Sequence, residues 1–134
     1  MAIQYAVEPD LAVEEFRQVL AETTLGERRP LADLPRLQQM LLKADIVATA
    51  RDGSRLVGVA RALTDFAYCC YLSDLAVSQA WQRRGIGRQL IQQTRELAGD
   101  RATLLLVAAP GAVTYYPHIG LEPVPSCWAI PRTA

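Results

Sequence analysis

Ser73-Asp74-Leu75-Ala76-Val77-Ser78-Gln79-Ala80-Trp81-Gln82-Arg83-Arg84-Gly85-Ile86-Gly87-Arg88 reads as an apolar strand ending at Val77, a polar loop, and the first turn of an amphipathic helix. Gly85 and Gly87 fall in that first turn. A glycine there costs roughly 1 kcal/mol of helix stability against alanine, so two in such close succession call for a compensating gain. Without a Cβ, the backbone lets a ligand come close. The first turn also presents N–H groups that lack intrahelical partners, at the positive end of the helix dipole. Phosphate suits such a place. With Arg83, Arg84 and Arg88 adding charge, the loop has the makings of a pyrophosphate cradle. Its spacing is not the dinucleotide fingerprint G-x-G-x-x-G, and no Lys-Ser/Thr follows as in a P-loop.

Downstream, Gly85 to Ala98 forms a helical pattern with Ile86, Leu90, Thr94 and Leu97 on one face, and Gly99 stops it. Thr103 to Ala108 is a continuous apolar run bounded by Asp100 and Pro110, the pattern of a strand buried on both faces. Upstream, Tyr68 to Val77 predicts one strand. Ile46 to Arg51 and Leu56 to Thr64 predict two more, joined at the tight-turn signal Asp52-Gly53. Asp33 caps a helix with Pro35 in its first turn and the stripe Leu37, Met40, Leu41, Ala44. An earlier helix opens at Pro9-Asp10, with Val13, Phe16, Val19 and Leu20 at helical spacing, after a short strand Ile3 to Val7. The Pro-punctuated tail is strand-like around Leu121–Val124 and Cys127–Ile130.

The chain has 134 residues, the size of one compact domain, and residues 1–134 show no repeat or linker that would divide it. Formal net charge is zero, which argues against a nucleic-acid or anionic-membrane partner. Three cysteines, two of them the adjacent Cys69 and Cys70, make a poor disulfide framework. The N-terminus lacks the basic start and apolar stretch of a signal peptide, and no apolar run approaches the ~20 residues that span a bilayer. A cytoplasmic setting is expected.

Three blocks then fall in order. Gln82-x-x-Gly85-x-Gly87 matches the signature loop of the GNAT superfamily, the acetyl-CoA-dependent N-acetyltransferases. Asp74-Leu75-Ala76-Val77 resembles that family's fourth strand, and Ala112-Val113-Thr114-Tyr115-Tyr116-Pro117-His118-Ile119-Gly120-Leu121 resembles its A-x-x-x-Y-x-x-x-G-F motif. The resemblance covers Ser54 to Val124 and is weak over the first two helices. It implies a mixed α/β fold, α+β-like, around a mostly antiparallel twisted sheet. That sheet would have about six to seven strands, the fourth and fifth splayed, with about four flanking helices.

Residue by residue, the resemblance implies a pantetheine arm along the backbone of Leu75, Ala76 and Val77, with the Leu75 amide supporting the developing oxyanion. The loop Gln82, Arg83, Arg84, Gly85, Ile86, Gly87 and Arg88 would hold the pyrophosphate. Tyr116 matches the tyrosine that protonates the leaving thiolate. Its ordinary pKa of about 10 suits that task. Tyr115 falls at a packing position. Where the family carries an asparagine ahead of the tyrosine, this chain has Ala109.

By strand parity Tyr71, Ser73 and Leu75 share one face and Leu72 and Asp74 the other, unless a bulge intervenes. Tyr71 and Ser73 are thus the substrate-facing candidates, neither a competent base. His118 reads as structural, Cys69 and Cys70 as small buried hydrophobes, and Trp81 and Trp128 as packing residues.

The implied activity is acetyl transfer from acetyl-CoA, without a metal, to the primary amine of a small molecule or peptide by direct attack. Many relatives pair as homodimers through C-terminal strands. Two rivals stand beside it: a non-catalytic acyl-CoA-binding regulatory domain of the same fold, and a modifier of nucleic-acid or ribosomal substrates, which the neutral charge disfavours.

Overall fold

A computed structural model describes residues 2–134. The alternating and helical patterns become five strands and four α-helices. In chain order these are β1 (Gln4–Val7), α1 (Val13–Ala21), α2 (Leu34–Leu42), β2 (Ile46–Asp52), β3 (Arg55–Thr64), β4 (Cys69–Val77), α3 (Ile86–Ala98), β5 (Thr103–Leu105) and α4 (Tyr115–His118). One sheet runs in the order β1-β2-β3-β4-β5. Its first three pairings are antiparallel, and β4 with β5 is parallel.

Both faces of the sheet are covered, and the two-residue period of the strands sorts their side chains between two cores. Ile46, Ala48, Ala50, Ala60 and Ala62 pack with Leu90 and Ile91 of α3. Val47 and Val59 pack with Phe16, Leu20, Leu37 and Leu41 of α1 and α2. Each large side chain so buried contributes about 1.5–3 kcal/mol relative to exposure. Small residues on β2 and β3 bring α3 close. A Cβ on Gly58 would lie 3.0 Å from Leu90 Cδ1 and 3.2 Å from Ile86 Cγ2.

The turn signals act where expected. Gly53 takes φ +60° between Asp52 and Arg55. The Asp33 side chain accepts from the Arg36 amide at 3.1 Å, and Gly99 ends α3 at φ +94°. α1 opens at Val13, later than Pro9-Asp10 suggests, and has no side-chain cap. Within α3 the buried face is Ile86, Leu90, Ile91, Thr94 and Ala98, while Leu97 is exposed. Among the described residues no helix is long and apolar enough to cross a membrane.

Several expectations need correction. The sheet has five strands, fewer than about six to seven. The tail segments 121–124 and 127–130 form no strand, because Pro123, Pro125 and Pro131 remove ladder donors across that stretch. Trp128 is accordingly 90% exposed rather than packed. β5 is shorter than Thr103–Ala108 and is not buried on both faces: Thr103 and Leu105 are exposed. As the last strand of the sheet it has a neighbour on one edge only. Cys69 is exposed too, and Cys70 alone of that pair is buried.

Candidate active site

β4 and β5 pair only over Cys69–Tyr71 with Thr103–Leu105. Beyond Tyr71 and Leu105 the two strands part, leaving the β5-side edge of residues 72–77 without a strand partner among the described residues. Direction along that edge follows from the backbone. The Ser78 amide donates to Val57 O on β3 at 2.8 Å. By the two-residue period, the N–H groups of Leu75 and Val77 therefore point the other way, into the gap. Val77 O points there as well and accepts from Gln82 Nε2 at 3.0 Å, which ties the loop to the strand end.

The loop that follows is bent tightly. Arg83 (φ +65°) and Gly85 (φ +82°) both take left-handed conformations, and Gly85 leads directly into α3. For an arginine this backbone costs roughly 1–2 kcal/mol. Among the described residues the amides of 83–88 donate to no protein acceptor, the first bond of the helix being Gln89 N to Gly85 O at 3.1 Å. Consecutive free N–H groups of this kind, at the start of a 13-residue helix, are the donor arrangement to which an anion is attracted. The Arg84 guanidinium stacks over Trp81 at 4.9 Å, so Trp81 steadies that side chain.

Gly87 occupies a narrow place. A Cβ there would stand 3.2 Å from Tyr115 Oη and 3.7 Å from Val77 Cγ2. The missing side chain thus keeps open the space between the helix start, the end of β4 and Tyr115. Tyr115 meets Tyr116 edge to face, with ring centroids 5.2 Å apart. Burial pushes the Tyr115 phenol up and the Arg88 charge opposes it. Tyr116 is more enclosed and packs against the α3-side core. Burial, then the neighbouring Tyr115, raises its pKa.

The parity expected along β4 is broken. Arg61 pairs with Asp74 but Ala62 with Leu72, so Ser73 is an extra, bulged residue. Leu72 and Leu75 consequently pack on the same, α3-side core, while Ala76 packs with α1 and α2. Leu75 therefore does not share a face with Tyr71. Tyr71 stands 43% exposed at the last β4–β5 rung, opposite Leu105. The Ser73 hydroxyl accepts from Arg61 Nη2 at 3.0 Å. Asp74 is fully buried and accepts from Arg29 Nε and Arg61 Nε, so it is not free to act as a base.

Residues 13–120 match the family model described as the acetyltransferase (GNAT) family. The chain belongs to the GNAT acetyltransferases. A relative from Glycine max named histone acetyltransferase TAP1 is 29% identical over 121 residues, covering 81% of this chain and 51% of the relative. An uncharacterized N-acetyltransferase of Pyropia yezoensis is 35% identical over 71 residues, half of this chain and 40% of that one. The chain thus spans about half the length, or less, of the curated relatives it matches. Among solved structures, a Staphylococcus aureus protein of unknown function described as a probable acetyltransferase overlays with TM-score 0.83 at 17% identity, covering 99% of this chain and all of that one. An aminoglycoside N-acetyltransferase in complex with CoA overlays with TM-score 0.73 at 17% identity, covering 99% and 96%.

Within this GNAT chain the structure brings together the sequence-singled loop 82–88, the end of β4 and the Tyr115–Tyr116 pair. Arg29 and Arg61 were missed. Arg61 could have been noticed as the lone charge in the apolar run Leu56–Leu63. Arg29 gave no signal, since a charged connection between helices ordinarily faces solvent.

Proposed function

We propose that this GNAT domain transfers an acetyl group from acetyl-CoA to the primary amine of a small molecule or peptide, by direct attack. The observation that carries this reading is the run of unpartnered amides at 83–88, which opens beside the unpaired edge of β4. The donor set fits the cosubstrate: free N–H groups and Arg88 for a pyrophosphate, and a strand edge for the amide-bearing pantetheine arm. Gly87 supplies the clearance between them.

Acetyl-CoA brings an activated thioester carbonyl and a thiolate able to leave. The chain's own groups do the rest. Amides and cations of residues 82–88 bind the phosphates. The gap-facing N–H groups of Leu75 and Val77 orient the acyl end, and the Leu75 N–H stabilises negative charge on the carbonyl oxygen. As nitrogen bonds to the carbonyl carbon and the C–S bond breaks, Tyr116 gives its phenolic proton to the sulfur, and the amine's surplus proton passes to water. Both Asp74 carboxylate oxygens are engaged by guanidinium groups, Arg29 on one and Arg61 on the other. The exposed Tyr71 side chain borders the acceptor's approach.

A thiol-release assay with acetyl-CoA and a panel of primary amines tests this. Release that depends on an amine, with the acetylated amine seen by mass spectrometry, supports transfer. Saturable acetyl-CoA binding with no release for any amine supports the regulatory-domain reading, which the locked Asp74 carboxylate favours.

A further inference from the structure

The bulge in β4 is the one place on that strand where the regular ladder with β3 slips, and its Ser73 carbonyl and hydroxyl and its Asp74 carboxylate are gripped from outside the strand. Arg29, in the connection between α1 and α2, donates from Nε to one Asp74 carboxylate oxygen and from Nη2 to Ser73 O at 2.7 Å. Arg61 of β3 donates from Nε to the other carboxylate oxygen, from Nη2 to Ser73 Oγ at 3.0 Å and from Nη1 to Met40 O at 3.3 Å. Two planar forks thus converge on two consecutive residues.

Stability alone is a poor reason for such a cluster. Replacing a buried ion pair by apolar packing is often neutral or stabilising, whereas buried charge networks can define one geometry against its alternatives. The geometry at stake is directional. A bulge that migrates along the strand turns the residues it passes to the opposite edge and face. With the extra residue held at Ser73, the N–H groups of Leu75 and Val77 face the β5-side gap. With the bulge moved into Asp74–Leu75, Leu75 N–H no longer has that direction.

We propose that Arg29, Arg61 and Asp74 form a clamp of positioning residues that pins the Ser73 bulge and so aims the Leu75 amide at the acyl carbonyl oxygen. This rests on the proposal that the β4 edge receives the acyl end of acetyl-CoA. The clamp reaches through Arg29 to the connection between α1 and α2, so the wall on that side of the sheet and the oxyanion donor are set by one group of contacts.

The test uses the full ¹⁵N-labelled chain, its amide spectrum recorded with and without saturating acetyl-CoA. The variants are Arg29→Met and Arg29→Lys. Arg29 is the partly exposed member of the clamp, and its removal leaves Asp74 paired one-to-one with Arg61. The expected result for Arg29→Met is that acetyl-CoA-induced shifts at Leu75 and Val77 shrink by about half or more, because a site without its supporting contacts loosens. Shifts at Gly85–Arg88 stay as in the unaltered chain, and Arg29→Lys recovers part of the Leu75 response. Should Arg29→Met lose the dispersion of a folded protein, Arg29→Lys alone carries the test through a reduced Leu75 response.

Folded variants whose Leu75 and Val77 amides respond as in the unaltered chain overturn the clamp as a positioning device. An unaltered chain that responds at 85–88 but not at Leu75 overturns it too, while leaving cofactor binding intact. An unaltered chain with no response at either segment sinks the cofactor reading, and the clamp with it.

Discussion

Replacing Gly87 by alanine should make the protein more stable and a poorer ligand binder at once. Gly87 lies in the first turn of α3 and has no positive φ, so alanine fits the backbone there. Alanine gains up to about 1 kcal/mol over glycine in a helix. Against that stands one tight approach, the new Cβ at 3.2 Å from Tyr115 Oη, with Val77 Cγ2 at an ordinary 3.7 Å. Tyr115 Oη is the far end of a half-exposed ring and has no hydrogen bond within the protein among the described residues, so it can yield by a few tenths of an ångström. The net expectation is a rise in Tm of roughly 2–4 °C. The same methyl group projects into the space beside the free amides and should weaken acetyl-CoA binding by about 5- to 30-fold, or 1–2 kcal/mol. Thermal unfolding by circular dichroism and calorimetric titration read the two effects separately. The reasoning fails if the variant is destabilised, or if it binds acetyl-CoA as tightly as the unaltered chain. Opposite signs in one substitution are the mark of a residue kept for a ligand rather than for the fold.

Tyr116→Phe should lower turnover by about 10²- to 10⁴-fold, the usual worth of a general acid, with acetyl-CoA affinity nearly unchanged; equal turnover removes Tyr116 from the chemistry. Gly58→Ala should destabilise by about 1–3 kcal/mol in chemical denaturation, since its Cβ meets Leu90, Ile86 and Ala50 together. The Asp65 carboxylate accepts from the amides of Ala67, Tyr68 and Cys69, which hold its pKa down to about 2. Because the folded value lies below the unfolded one of about 3.9, its contribution is present above pH ~4 and is lost as pH falls toward 2. Asp65→Asn should therefore flatten the acid limb of a Tm-against-pH curve in that window, and an unchanged limb contradicts the assignment.

What was legible in the sequence is what local chemistry dictates. Asp52-Gly53 marked its turn, Asp33 its cap, and Gly99 its helix end, because each acts through its own backbone or its immediate neighbours. The pairing of β2 with β3 followed from the short connection between them. The bulge at Ser73 was invisible for a physical reason: both faces of the sheet are covered by apolar cores, so the exchange of faces at that residue leaves no break in the sequence pattern. The partnership of Arg29 with Asp74 joins residues far apart in the chain, and no periodicity carries such a contact. In the tail, apolar residues such as Val124 and Ile130 suggested strands, but the prolines at 123, 125 and 131 outweighed them. At the site, the glycine pair was legible as a cradle, while the approach of Tyr115 to Gly87 required the fold.

Calorimetric titration of the purified chain with acetyl-CoA, alongside Gly87→Val, tests the central claim most directly. A branched side chain at this position meets Tyr115 and Val77 and fills the cradle's clearance. The account predicts saturable one-site binding to the unaltered chain and its loss in a folded Gly87→Val protein. Equal binding to both would contradict the cradle at 82–88, and no binding to the unaltered chain would contradict the acetyl-CoA-dependent function itself.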